Sequence, residues 1–198
     1  MLIVVRHGRT AWNAEGRFQG WAGVGLDTTG IEQAGAGARA IAGVVSGSVE
    51  LVSSDLRRAV ETAVVVAEVL QTVVSTDPSL REVDCGTWQG LTGAEAAARY
   101  PDEYRRWKAG EDVRRGGGET YSESGSRVAR SITGLMRSGR EGTVIVVGHG
   151  KSLQWGLDRL AERRYVDLPG PAPHLGNGRF LVLPDWRHDQ NDSALSER

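Results

Sequence analysis

Two short motifs carry the residue types best suited to chemistry. Arg6-His7-Gly8 follows the apolar run at 2–5, and Gly148-His149-Gly150 follows the apolar run at 143–147. Continuous apolar runs of this length read as buried strands, so each histidine stands at a strand end. A strand holds an imidazole rigidly there, and the flanking glycine lets the backbone come close to a ligand. Arg6 adds a planar fork of donors for an anion. Two strand-end histidines predict one site at the C-terminal edge of a parallel sheet, where α/β folds place their ligands.

The elements that must position these residues alternate along the chain, which predicts a layered α/β fold. Strands are expected at 2–5, 50–53, 73–76, 143–147 and 179–183. Ile31, Ala34, Ala38, Ile41, Ala42 and Val45 share one helical face. Ala59, Ala63, Val66, Ala67 and Leu70 share another, as do Val128, Ile132, Leu135 and Met136. All three stripes are read as core. Thr92 with Glu95 forms a capping-box pattern that starts a short helix. Pro101 ends that helix, and 102–108 forms a further turn or two. The stretch 111–126 is rich in glycine and charge and reads as a loop near the site. The tail 185–198 is polar and reads as frayed, which leaves one domain over 1–184.

The 198 residues suffice for one domain with a good core. The net charge of −1 gives no footprint for nucleic acid or an anionic membrane. No apolar run reaches the roughly 20 residues of a transmembrane helix. The chain opens directly on a strand, with no signal-peptide pattern. Cys85 is the only cysteine, which excludes an internal disulfide and a cysteine-rich zinc site and fits a cytoplasmic location.

Further motifs follow in order. Arg6 begins Arg-His-Gly-Arg-Thr-Ala-Trp-Asn, and Arg17 begins Arg-Phe-Gln-Gly-Trp. Ser54 begins Ser-Asp-Leu-Arg-Arg-Ala, Leu80 begins Leu-Arg-Glu-Val-Asp-Cys-Gly, and Gly117-Gly118-Glu119-Thr120 precedes the second histidine motif. This series resembles the histidine phosphatase superfamily, in its phosphoglycerate-mutase-like branch, from Leu2 to about Leu183. The resemblance implies an α/β fold, a three-layer αβα sandwich with a mostly parallel central sheet. It implies His7 as the nucleophile that becomes phosphorylated, and Glu82 as the proton donor. It implies that Arg6, Arg58 and His149 grip the phosphoryl group, with Asn13, Gln19, Gly20 and Gly150 as further substrate contacts. The motif selects Arg58 over its neighbour Arg57. Position 9 is more often Glu or Gln in this family, and Arg9 is expected to face solvent.

The chemistry is coherent on its own terms. A phosphomonoester carries close to two negative charges, which paired arginines can bind. An unprotonated imidazole is a competent nucleophile, and phosphoryl transfer is mostly positioning and charge stabilisation. The expected activity is metal-independent hydrolysis of a small phosphomonoester, with no cofactor. The short stretch between Gly90 and Gly117 favours a phosphatase over the alternative, a cofactor-dependent phosphoglycerate mutase. A catalytically dead binding protein is the third reading, against which all five core residues stand. Taken alone, Glu82 would pair with Arg81 or another surface cation. His174 and His188 have no motif and read as surface residues. Trp12, Trp21 and Trp88 read as structural, with the border of the pocket as the alternative for Trp21. Substrate choice is set in the 92–126 segment, where Arg99, Arg105, Arg106, Lys108, Arg114 and Arg115 lie beside several acids and face either an anionic substrate or, as in most mixed-charge loops, solvent. Oligomeric state stays open, a homodimer included.

Overall fold

A computed structural model describes residues 1–137, 142–183 and 186. Five strands form one sheet in the order β3-β2-β4-β1-β5. They are β1 (Leu2–Arg6), β2 (Val49–Ser53), β3 (Val74–Thr76), β4 (Thr143–Gly148) and β5 (Phe180–Leu183). All pairings are parallel except that of β5 with β1. β1 and β4 lie side by side in the middle, and Arg6 pairs with Gly148 in register. The two histidine motifs therefore leave the sheet next to each other.

Helices cover both faces, which explains why the central strands are apolar throughout. On one face Ile3, Val5, Ile145 and Val147 pack on α2 (Thr28–Ala42) and α3 (Arg57–Leu70). On the other, Leu2, Val4, Val144 and Val146 pack on α6 (Tyr121–Arg137) and α7 (Gly150–Glu162). The architecture is the expected αβα sandwich. Each fully buried Leu, Ile or Val side chain contributes about 1.5–3 kcal/mol.

A smaller apolar cluster lies apart from the sandwich. Trp88 is fully buried among Phe18, Tyr100, Tyr104 and Trp107. These residues come from short elements: α1 (Ala11–Ala14) precedes Phe18, while α4 (Gly93–Arg99) and α5 (Pro101–Lys108) follow Trp88. Thr92 and Glu95 make the expected capping box.

Several details differ from the sequence reading. Ile31 is 55% exposed, because the buried stripe of α2 runs through Gly30, Ala34, Gly37, Ala38 and Ile41 instead. Ala42 is exposed too. The stretch 111–126 is not a loop throughout, since α6 begins at Tyr121. α7 went unread. Its buried face mixes Gly150, Ser152 and Gly156 with Leu153, Leu157 and Leu160, which breaks the apolar period. Close packing needs those small residues: a Cβ on Gly156 would lie 2.6 Å from Val128. The tail 185–198 and His188 lie outside the described residues, Trp186 excepted, and Trp186 stacks on Tyr165. No helix among the described residues is long and apolar enough to cross a membrane.

Candidate active site

His7 leaves the end of β1 and is buried. Its Nδ1 lies 2.7 Å from the Gly8 carbonyl oxygen. A carbonyl only accepts, so Nδ1 carries the proton and Nε2 keeps its lone pair. Burial pushes the His7 pKa well below its usual value, and the nearby Arg58 and Arg6 cations push the same way. The imidazole is therefore neutral at neutral pH. Its backbone is pinned twice: His7 N donates to Gly148 O, and Gly8 N donates to Thr62 Oγ1. Gly8 has to be glycine, because a Cβ there would lie 2.3 Å from the Gly30 carbonyl oxygen.

His149 ends β4 and is fully buried, with its ring centroid 5.1 Å from that of His7. Its Nε2 lies 2.9 Å from Ser54 Oγ, and its Nδ1 has no partner among the described residues. Burial, then Arg58 and His7, hold its pKa well below the usual histidine value.

Arg58 starts α3 and is buried despite its charge. Two of its donors are fixed by the carbonyls of Gly20 at 2.8 Å and Ala22 at 2.9 Å, while Nε has no partner. Burial lowers its pKa to about 10, with Glu82 acting in the opposite direction, so it stays a cation at neutral pH. Gly20 presents that carbonyl with φ of 53°, a left-handed conformation that favours glycine. Arg6 donates from Nη1 to Leu175 O at 2.7 Å and leaves a buried Nε without a partner. The guanidinium lies flat over Gly150, where a Cβ would come within 3.1 Å of it.

Glu82 does not pair with Arg81, which pairs with Asp55 instead. Its Oε1 accepts from Ser152 N at 2.8 Å and its Oε2 from Lys151 N at 3.2 Å. α7 has no side-chain cap of its own. Glu82 thus satisfies orphan donors at that helix start from a distant part of the chain. Arg127 holds the Glu82 segment through the carbonyls of Ser79 and Arg81 and pairs with Glu119 at 2.7 Å.

Asn13 Oδ1 accepts from Thr10 N, Thr10 Oγ1 and Asn177 Nδ2. Gln19 is buried and accepts from Thr10 Oγ1 through its Oε1. Arg6, His7, Asn13, Gln19, Gly20, Arg58 and Glu82 all line one cleft of about 240 Å³. Phe18, Trp107, Arg115, Tyr121 and Lys151 form its outer wall. His149 and Gly150 are not among the residues that line it. Arg9 is tied to Asp27 and Thr29 and takes no part in the cleft. Among the described residues, no three of His, Cys, Asp and Glu group as metal ligands.

A family model described as the histidine phosphatase superfamily, branch 1, matches residues 2–190. The chain belongs to the histidine phosphatase superfamily. A bifunctional protein of Mycobacterium tuberculosis is 38% identical over 148 residues, 75% of this chain and 40% of that protein. The chain thus spans about 40% of the length of that relative. A 2,3-bisphosphoglycerate-dependent phosphoglycerate mutase of Methylobacterium radiotolerans is 32% identical over 179 residues, 85% of this chain and 84% of that protein. The solved structure of a mycobacterial glucosyl-3-phosphoglycerate phosphatase with VO3 superposes with a TM-score of 0.77 and 31% identity, covering 90% of each chain.

Within this superfamily fold, sequence reasoning missed several residues of the site. Thr62 and Ser54 sit inside a motif that signalled only Arg58. Asn177 donates to the His7 carbonyl at 3.2 Å and had no signal, being in a loop without periodicity. His174 is exposed, as read, yet its Nε2 lies 3.1 Å from Arg6 Nη1, a contact the sequence did not signal. Arg115 was one of six cations in the basic segment, and only burial distinguishes it. It is 4% exposed, with its guanidinium 4.4 Å from the Tyr121 ring centroid.

Proposed function

We propose that this protein is a phosphomonoesterase that works through a phosphohistidine on His7. The observation that carries the reading is the Nδ1 contact to Gly8, which leaves a neutral Nε2 facing a cleft with the buried Arg58 and the half-buried Arg6. Arg6 and Arg58 bind the phosphoryl oxygens through donors that the protein leaves unused, and His149 adds its Nδ1 from behind. His7 Nε2 attacks phosphorus, the P–O ester bond breaks, and the leaving oxygen takes a proton through Glu82. A phosphomonoester arriving as its monoanion brings that proton with it, since its second ionisation lies near about pH 6. Water then attacks phosphorus, the P–N bond breaks, and Glu82 accepts the water's proton. Inorganic phosphate leaves and His7 is restored.

Rapid quench with labelled substrate tests this. An acid-labile, base-stable phosphoprotein is expected, and His7→Ala should abolish both label and turnover. Normal labelling of that variant would remove His7 from the role. Hydrolysis of an aryl phosphate is expected to survive EDTA, because the arginines supply the positive charge. Loss of activity on chelation, with recovery on adding a divalent metal, would overturn metal independence.

The substrate class follows from the outer wall. Five cations and a single carboxylate line the cleft. Arg17 is paired with Glu15 and Glu95, but Arg115 has a buried Nε without an acceptor and pairs with no described carboxylate. A phosphoryl group bound to Arg6 and Arg58 leaves that cation uncompensated. The fitting substrate is a small phosphomonoester with a second anionic group, in keeping with the glucosyl-3-phosphoglycerate relative. The mutase relative supports the second reading, and 84% of its length is matched, so segment length alone does not separate the two. With 3-phosphoglycerate and catalytic 2,3-bisphosphoglycerate, isomerisation should be slow beside hydrolysis of the best substrate. A cytoplasmic location fits the lone buried Cys85, and cell fractionation tests it.

A further inference from the structure

His174 is a residue that neither motif nor composition marked. It sits in the loop between α7 and β5, and its Nε2 lies 3.1 Å from Arg6 Nη1. The same Arg6 nitrogen donates to Leu175 O at 2.7 Å. A guanidinium has donors and no acceptor, so His174 must offer a lone pair and must be neutral for this contact to exist. The two acceptors fix one arm of the Arg6 fork and leave its buried Nε free. We propose that His174 is a positioning residue that holds Arg6 in its phosphoryl-binding pose only while its imidazole is unprotonated.

The surroundings of His174 set the direction of the effect. From β1 it faces Arg6, from the start of α7 Lys151, and from the segment ahead of Trp88 it faces Glu82. Burial lowers the His174 pKa first, the two cations lower it further, and Glu82 opposes them. His174 is therefore neutral at neutral pH. Acid converts its acceptor into a donor and places a second positive charge beside Arg6. Arg6 then loses one of its two acceptors and keeps only the Leu175 carbonyl, and the free protein loses affinity for the phosphoryl group. The change falls at a midpoint below 6.5, the ordinary histidine value.

This inference rests on the phosphomonoesterase reading, and kcat/KM against pH tests it. That quantity reports the ionisations of the free protein. His174→Ala should raise KM for an aryl phosphate about three- to tenfold even at pH 8, with a smaller change in kcat. His174→Gln supplies an amide oxygen that does not titrate, and it should recover most of that loss. The ratio of wild-type to His174→Gln kcat/KM cancels the ionisations of the substrate and of His7. It should be level above neutrality and fall by up to about tenfold per pH unit below the His174 midpoint. A ratio that is constant with pH, or one that rises in acid, overturns the proposal. So does a His174→Gln variant no better than His174→Ala. NMR of the wild-type imidazole gives a second measurement that does not depend on turnover or on any variant folding. A midpoint below 6.5 with the proton on Nδ1 is expected, and Arg6→Gln should raise it. A midpoint at or above 6.5 would overturn the contact. If wild type hydrolyses no phosphomonoester while the NMR result holds, the functional reading fails and the contact stands.

Discussion

The floor and the outer wall of the cleft are built by opposite means. The floor is made of His7, His149 and Arg58, all buried and all attached to the ends of strands or the start of a helix packed on the sheet. Backbone groups hold two of these side chains, the Gly8 carbonyl on His7 and the Gly20 and Ala22 carbonyls on Arg58, while Ser54 Oγ holds His149. The wall is gathered from separate places: Phe18 after α1, Trp107 on α5, Arg115 in the turn beyond it, Tyr121 at the start of α6 and Lys151 on α7. The charges around it pair at the surface, as Arg106 with Glu111 and Arg114 with Glu123. Exposed pairs of this kind are worth about 0–1 kcal/mol. Under the proposed function the floor is committed to phosphoryl chemistry, while the charges around the wall can vary at little cost in stability. Arg115 is the exception in the wall, and its burial marks it for recognition.

The sharpest way to break this division is at Glu82, which touches both regions. Glu82→Gln should slow phosphorylation of His7 by about 10²–10⁴-fold with an alkyl phosphate. The loss should be much smaller with an activated aryl phosphate, whose leaving oxygen is a weaker base. Single-turnover phosphorylation rates check this, and equal losses would assign Glu82 to helix capping or binding. Glu119 is a poorer substitute, since it is already paired with Arg127.

A smaller effect is expected in the wall. Arg115→Gln should raise KM about ten- to a hundredfold for a substrate with a second anionic group, as loss of a desolvated charged contact does. It should leave a simple aryl phosphate little affected. Equal effects on both would place Arg115 with the floor.

Acid should weaken the floor without any substrate. The buried neutral histidines gain protons in the unfolded chain as pH falls below 6.5, while their folded pKa values lie well below that. The unfolded state then binds more protons, so stability falls with pH. Each histidine costs about 1.4 kcal/mol per pH unit, from 6.5 down to its folded pKa. Urea midpoints at pH 7, 6 and 5 measure this, and a flat profile would contradict neutral burial. The smallest effect belongs to the exposed wall pairs. Arg106→Ala should change kcat/KM by about twofold or less. A large loss would mean that the surface charges of α5 steer substrate.

The sequence made the floor legible and the wall obscure. Strand-end histidines are visible because buried parallel strands are continuous apolar runs, and the glycines beside them are demanded by close backbone approach. Arg58 was recoverable because it lies in a motif with Thr62 and Ser54. The wall gave no comparable signal. Arg115 is one of six cations in its segment, and its meaning depends on two rings, Phe18 and Tyr121, that come from separate parts of the chain. His174 and Asn177 were invisible because they act across the sheet through a loop with no period. α7 was hidden by the small residues that let it approach α6.

The position of β1 between β4 and β5 constrains how the protein comes into being. Leu2 pairs with Val144 on one side and with Leu183 on the other. β1 therefore has no partner until β4 is made some 140 residues later, on the order of ten seconds at typical elongation rates. During that wait an apolar segment, Leu2–Val5, is available for wrong pairings or for chaperones. Parallel pairing over such a separation also makes for slow folding. The two histidines meet only after β4 has been made, so a nascent fragment that stops short of it holds His7 without its partner His149.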